Sequence, residues 1–241
     1  MKLCHAAPPA NANRLLASLP ESDWSRLAAL FDTVTVEAGQ VLCEPGQAIA
    51  YLYFPDDSLI SLLAVAEGRM TLEVGSVGCE GMIGASVALG HELAQVRAVV
   101  QRAGRVSRIA RADFRAEFGK TESLQRLLYR YTDILLGQAI QIAVCSRFHV
   151  LEARLARTLL ITRDRLQSEK FHVTHEFLAH ALGVRRVGVT KAASALQQQK
   201  LITYSRGNIE IIDAAGLEAV SCRCYGLVKD VGASGMANAF A

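Results

Sequence analysis

The stretch that decides the fold is Leu182–Ile202, "LGVRRVGVTKAASALQQQKLI". Leu182-Gly183 reads as a tight turn, because glycine takes a positive φ without a steric penalty. Beyond it, Val184, Val189 (or Val187), Ala192 and Leu196 recur at helical spacing, so the run that follows the turn reads as a helix with one buried stripe. Arg185 and Arg186 stand at the start of that helix, where the macrodipole disfavours cations. Either they solvate a turn, or the helix start carries positive charge towards an external anion.

The flanking segments favour the second choice. Upstream, "FHVTHEFLAHA" reads as a strand and then a helix of Phe177, Leu178 and Ala181, with Thr174 as its N-cap. Downstream, "LITYSRGNIEIID" reads as a β-hairpin with Arg206-Gly207-Asn208 at its tip. A helix-turn-helix followed by a hairpin is a winged helix. In such a unit the N-terminal residues of the second helix face bases in the DNA major groove. An arginine there donates two hydrogen bonds to guanine O6 and N7, worth about 1–3 kcal/mol in discrimination. Arg186 is the leading candidate for that contact; Arg185 reads as a base contact, a phosphate contact or a surface charge. Lys191 projects from a neighbouring face towards a phosphate or base, and Thr190 belongs to the same DNA-binding set. Arg206 suits a phosphate at the wing tip, as does Thr174 with its hydroxyl and a nearby N–H. The small residues Gly188, Ala192 and Ala193 are expected to let the groove approach closely.

Charge agrees with this placement. The chain of 241 residues has a net charge of +3, but Leu151–Tyr225 holds 11 Lys and Arg against 7 Asp and Glu, so that part carries +4 and the rest −1. No apolar run approaches the roughly 20 residues that span a bilayer. The start, "MKLCHAAPPANANRLL", lacks a signal peptide's apolar core. A cytoplasmic protein without a membrane partner is expected. Six scattered cysteines then read as reduced thiols rather than a disulfide framework.

Working further outward, residues 1–20 read as a loose arm. A short helix follows, started by Ser22 or Asp23 and burying Trp24, Leu27 and Leu30. From Phe31 short β-rich runs alternate with glycine, proline and acidic turns, the pattern of an antiparallel sandwich or roll. "VRAVVQ" and "RVSRIA" are expected to close it as a pair. After a short helix near Asp113–Phe118, Leu124, Leu127, Leu128, Tyr131, Ile134, Leu135, Gln138 and Ile142 fall at steps of three and four. That stripe is expected to be a homodimer seam between two long helices. "VCSRFH" reads as the hinge after it. The expected organisation is an arm at 1–20, a roll at 21–118, the dimerisation helix and hinge at 119–148, the winged helix at 149–226 and a tail at 227–241.

The order of these parts resembles the Crp-Fnr family of bacterial transcription regulators, most specifically in "VTHEFLAHALGVRRVGVTKAASALQQQKLI". Thr174, Gly183, Val189, Leu196 and Leu201-Ile202 stand where that family's helix-turn-helix has its corresponding positions. The resemblance implies an α+β chain: an N-terminal antiparallel β-roll (a double-stranded β-helix, cyclic-nucleotide-binding-like), a long dimerisation helix and a C-terminal winged helix-turn-helix. Arg186 and Lys191 match the family's two basic reading positions, whereas Val187 replaces an intervening glutamate, so no particular operator carries over. Members that bind cyclic AMP use Gly-Glu for the ribose and Arg-Ser/Thr for the phosphate. Here Gly84 is followed by Ala85, and Arg97 by Ala98. A phosphate without its guanidinium clamp loses the strongest pair in the site. Gly84, Ala85 and Arg97 therefore mark a degenerate ligand pocket, and a signal other than a cyclic nucleotide is expected, if the roll senses a small molecule at all. Such a signal, or a redox change, would act through the hinge near Cys145–His149. The resemblance also implies double-stranded DNA as partner, and RNA polymerase if the output is activation.

The family's iron–sulfur route needs clustered N-terminal cysteines, and only Cys4 is there. Cys222-Arg223-Cys224 has no further ligand pair nearby in sequence, so plain thiols, with no metal and no cofactor, are expected, and a redox role stays open. His172, His175 and His180 do not share one helical face and read as surface or packing residues. No nucleophile–base or paired-carboxylate grouping stands out, so no enzymatic activity is expected. The competing reading is a ligand-binding regulatory module whose winged helix contacts a protein.

Overall fold

The computed structural model describes residues 13–66 and 70–226. The expected tail and the first twelve residues of the expected arm lie outside that range. Two short helices, α1 (Arg14–Ala17) and α2 (Glu21–Leu27), open the described chain. Seven strands follow: β1 (Phe31–Val36), β2 (Val41–Cys43), β3 (Tyr51–Pro55), β4 (Leu59–Val65), β5 (Thr71–Val77), β6 (Arg97–Arg102) and β7 (Gly104–Ala110). Then come α3 (Arg111–Phe118), α4 (Glu122–Phe148), α5 (Leu151–Leu166), β8 (Lys170–His172), α6 (His175–Leu182) and α7 (Arg186–Gln198). The hairpin β9 (Ile202–Ser205) and β10 (Asn208–Ile211) precedes α8 (Ala214–Val220). The class is α+β, with an antiparallel β-region, a long helix and a C-terminal helix-turn-helix. None of these helices is long and apolar enough to cross a membrane.

The described residues form two compact units. The first comprises the chain up to Ile60 and Val77–Ile134; the second comprises Ser61–Ser76 and the chain from Leu135. Compactness thus divides the chain within α4 and groups the β4–β5 hairpin with the C-terminal part, unlike the expected borders at 118/119 and 148/149.

In the first unit β7 lies between β1 and β3, antiparallel to both, with Val106 opposite Val34 and Ser107 opposite Phe54. Alternation turns Leu52, Phe54 and Ile109 to one face of this sheet and Val106 to the other, and all four are buried. The expected pairing of "VRAVVQ" with "RVSRIA" does not form: β6 pairs with β2, Val99 opposite Val41. Only Ala103 separates β6 from β7, which is shorter than the two-residue loop a hairpin needs. The chain therefore crosses from one sheet to another there.

The expected loose arm is folded from Asn13 onward. That buried side chain donates to the carbonyls of Pro55 (2.9 Å) and Gly81 (2.8 Å) and accepts from the N–H groups of Leu15 and Leu16. Leu15 and Leu16 are buried as well. Prolines at 8, 9 and 20 point to a loose segment, but one asparagine satisfies the helix start, the last carbonyl of β3 and that of Gly81 together. The helix α2 buries Leu27, while Trp24 and Leu30 are only half-buried.

The second unit packs its winged helix on α5. Leu159, Val189 and Leu196 have no exposed surface, and each such burial contributes about 1.5–3 kcal/mol. Arg154 reaches from α5 to the carbonyl of Leu182 (2.5 Å), placing a cation on the C-terminal end of α6.

Candidate nucleic-acid interface

The turn between α6 and α7 is built as its residue types require. Thr174 Oγ1 accepts the N–H of Phe177 (3.1 Å) and caps α6. Gly183 takes φ +64°, and the N–H of Val184 bonds back to the carbonyl of Ala179, closing the helix. Arg185 is then the extended N-cap of α7, with no side-chain cap and no acidic residue in the first turn. Two guanidiniums therefore add to the partial positive charge of the helix's free N–H groups. Nothing on the helix itself neutralises them, so this end presents a concentrated positive potential.

The faces of α7 divide cleanly. Arg186, Val187, Thr190, Lys191 and Ser194 are exposed along one side, with Arg185 exposed before them. Val189, Ala192, Ala193 and Leu196 are buried on the other. Val189 rather than Val187 is the core residue. The expected role of the small residues is corrected: Ala192 and Ala193 face the module's own core, and a Cβ at Gly188 would sit 3.0 Å from Leu151 Cδ2. They let α7 lie close to the rest of the unit, not to a groove.

At the wing tip Arg206 and Gly207 both have positive φ (+49° and +86°), the signature of a two-residue type I′ hairpin turn. Arg206 is exposed. A Cβ at Gly207 would meet the His172 ring at 2.5 Å, which fixes glycine there. His175, expected to be a surface or packing residue, braces the site. Its ring stacks on Tyr204 (4.0 Å, 11°), and Nδ1 lies 3.1 Å from Thr190 Oγ1, which itself donates to the carbonyl of Arg186 (3.1 Å). The hydroxyl of Thr190, expected at the interface, is thus committed within the protein. Burial, with Arg186 second, pushes the His175 pKa down. No sequence spacing signals this brace, because it links α6, α7 and β9 through their fold. His180 lies elsewhere, its Nδ1 3.3 Å from Thr71 Oγ1.

The degenerate pocket residues lie in the first unit. Gly84 has φ +91°, where a Cβ would come within 3.2 Å of Leu52 Cγ; Ala85 is buried just after it. The guanidinium of Arg97 is engaged by Glu44 at 2.8 Å.

The proposed seam residues prove to be inward-facing. Leu124, Leu127, Leu128, Tyr131, Ile134 and Ile142 are buried within the chain itself, and Leu135 and Gln138 are half-buried. Tyr131 Oη donates to the Met82 carbonyl (3.0 Å) and accepts its N–H (2.9 Å), and a Cβ at Gly81 would collide with that ring. The apolar residues left outward on α4 are Tyr129, Leu136, Ile140, Val144 and Phe148. Among the described residues, one group has metal-ligand spacing, Cys145, His149, Cys222 and Cys224.

Residues 153–220 match the model of the Crp-like helix-turn-helix domain. A search of the curated proteins finds no match. Among solved structures, the chain is similar to FixK2 from Bradyrhizobium japonicum, with TM-score 0.70 at 14% identity, over 80% of this chain and 98% of that one. It is similar to a Crp/Fnr-family transcriptional regulator from Thermus thermophilus, with TM-score 0.66 at 24% identity, over 79% and 98%. The c-di-GMP-responsive global regulator CLP of Xanthomonas campestris gives TM-score 0.67 at 15% identity, over 80% and 99%.

Proposed function

We propose that this chain, a regulator of the Crp/Fnr type by its Crp-like helix-turn-helix domain and its fold, binds double-stranded DNA as a homodimer and places one α7 in each of two successive major grooves. The observation that carries the reading is the outward face of α7, where Arg185, Arg186, Val187 and Lys191 are all exposed and no acidic residue opposes them in the first turn. Arg186 is the base-reading guanidinium, suited to guanine O6 and N7. Val187, exposed beside it, suits a thymine methyl rather than a hydrogen-bonding edge. Arg185, Lys191, Arg206 and the hydroxyl of Thr174 serve phosphates.

The dimer seam in this reading is the outward stripe of α4. Leu136 and Ile140 are 58% and 56% exposed, and Tyr129, Val144 and Phe148 continue the same line at helical steps. A second copy would cover it in a two-fold contact, self-complementary by symmetry. Two recognition helices then stand about 34–36 Å apart, one DNA turn. The signal is not a cyclic nucleotide of the usual kind: Ala85 offers no carboxylate, and Arg97 is already paired with Glu44. If the output is activation, RNA polymerase is the further partner.

Selection of bound duplexes from a randomised library tests the reading. The expected result is a pseudo-palindrome with a guanine in each half-site, bound by two chains. An enriched asymmetric site holding one chain would overturn the dimeric arrangement. Failure of any duplex to enrich would overturn the DNA reading in favour of a protein partner.

A further inference from the structure

Four side chains that the DNA-binding reading leaves unused converge in the second unit. Cys145 and His149 lie one turn apart near the end of α4, and Cys222 and Cys224 follow α8. Their ligand atoms all lie within 4.8 Å of one another. Cys145 Sγ is 3.4 Å from Cys222 Sγ, and Cys224 Sγ is 3.4 Å from His149 Nδ1. The three cysteines are buried and His149 is half-buried. We propose that these residues form a Cys3His site for one tetrahedral divalent ion of the zinc class.

Spacing selects a single ion over the other fates of clustered cysteines. Tetrahedral Zn2+, with Zn–S of about 2.3 Å and Zn–N of about 2.0–2.1 Å, holds its ligand atoms roughly 3.5–3.8 Å apart. The observed pairs at 3.4 Å within a 4.8 Å group need only small side-chain adjustments to meet that. An iron–sulfur cluster interposes several iron and sulfide atoms between its ligands and needs a wider cradle. A disulfide needs about 2.05 Å between sulfurs, and these cysteines are free.

The surroundings supply the charge such a centre needs. Binding turns three thiols into thiolates and releases three protons to solvent, so three thiolates, neutral imidazole and Zn2+ leave a centre of charge −1. Arg157 interacts electrostatically with Cys145 and Cys222, and Arg154 with the same pair. Both arginines are buried, and Nε of each, with Nη1 of Arg157, has no hydrogen-bond partner. Buried cations need a nearby anion. Arg157 has the carboxyl of Glu73 within electrostatic reach; three neutral thiols add no negative charge, whereas the metal centre would. Gln141 Nε2 donates to Cys224 Sγ at 2.8 Å, the kind of outer contact that orients a ligating sulfur. The ion would tie the end of α4 to the segment after α8, across 77 residues from Cys145 to Cys222. Closing so long a loop stabilises the unit it closes, so a chelator or thiol oxidant would loosen it.

The test uses the full chain, reduced and stripped with a chelator, with Co2+ as the spectroscopic probe and Zn2+ as competitor. The expected result is one Co2+ per chain, with the d–d and sulfur-to-cobalt bands of a tetrahedral thiolate site, lost on adding Zn2+. Zinc should raise the melting temperature, and protein isolated without chelator should hold one zinc per chain by elemental analysis. The double variant Cys222→Ser/Cys224→Ser should lose the cobalt spectrum, and Gln141→Leu should weaken zinc binding about 10–100-fold. Cys43→Ser and Cys79→Ser should leave the stoichiometry unchanged. If the double variant does not fold by circular dichroism, the wild-type cobalt spectrum and chelator competition decide. A folded, fully reduced chain that binds no Co2+ would overturn the proposal. So would a Cys145–Cys222 disulfide trapped in protein from cells, or iron with inorganic sulfide in place of one ion.

Discussion

The helices α7 and α4 each carry an apolar stripe at helical spacing, yet the two stripes say different things about a partner. On α7 the opposite face is charged or polar apart from Val187, so the apolar stripe is the inward one and Arg185, Arg186 and Lys191 face out. On α4 both faces are apolar: one buries Leu124, Leu128 and Tyr131 within the chain, the other leaves Leu136 and Ile140 outside. Periodicity marks residues that are covered, not what covers them. Only where the second face is polar does a stripe also fix the direction of the partner.

The sharpest way to break this contrast is Leu128→Ala. Leu128 has no exposed surface, so the variant should lose about 2–5 kcal/mol of stability in chemical denaturation. If it dissociated the dimer at unchanged stability, the inward assignment would be wrong. Ile140→Glu is the complementary change on the outer face. It brings like charges together across a two-fold axis, and sedimentation should show dimer dissociation strengthened at least about tenfold, roughly 1.4 kcal/mol, with the helix signal intact.

On α7, Arg186→Ala should cost about 1–3 kcal/mol at its cognate base pair and relax selectivity there, read by binding to duplexes mutated at that pair. Equal loss on every duplex would move Arg186 to the phosphate class. Thr174→Ala removes an N-cap and should lower stability by about 0.5–2 kcal/mol in thermal unfolding. The smallest effect is the pH response of His175, whose folded pKa lies below 6.5. Above 6.5 both folded and unfolded forms are neutral there. As pH falls below it the unfolded chain takes the proton first, so stability declines until the folded pKa is passed. The melting temperature should drop more between about pH 7 and about pH 5 for the wild type than for His175→Phe, which keeps the ring on Tyr204.

How far the sequence carried the fold follows from how local each signal was. Thr174, Gly183 and the 202–211 hairpin are local chemistry: a cap, a left-handed glycine and a two-residue turn lie within a few residues of what they organise. The winged helix and its charged end were legible for that reason. Asn13 bonding to Pro55 and Gly81, or β6 and β7 entering different sheets, depends on residues tens of positions apart. The brace of His175, Thr190 and Tyr204 belongs to the same class. So does the Cys145–His149–Cys222–Cys224 group, whose C-x-C half was visible while its other half lay 73 residues or more away in the chain. Gly188, Ala192 and Ala193 show the limit within one helix: small residues signal close approach, but the approaching surface was the protein's own.

The central claim, that the outward face of α7 and the wing tip bind the DNA backbone as well as its bases, is most directly tested by salt. Binding of the full chain to its selected duplex would be followed by fluorescence anisotropy as ionic strength rises, for the wild type and for Lys191→Ala. Phosphate contacts release counterions, so log affinity should fall linearly with log salt, by about 0.9 for each phosphate neutralised. Lys191→Ala should flatten that slope by about 1 for each chain contacting a phosphate, while leaving sequence preference in place. A slope near zero, or one that Lys191→Ala does not change alongside an unaltered affinity, would contradict the account.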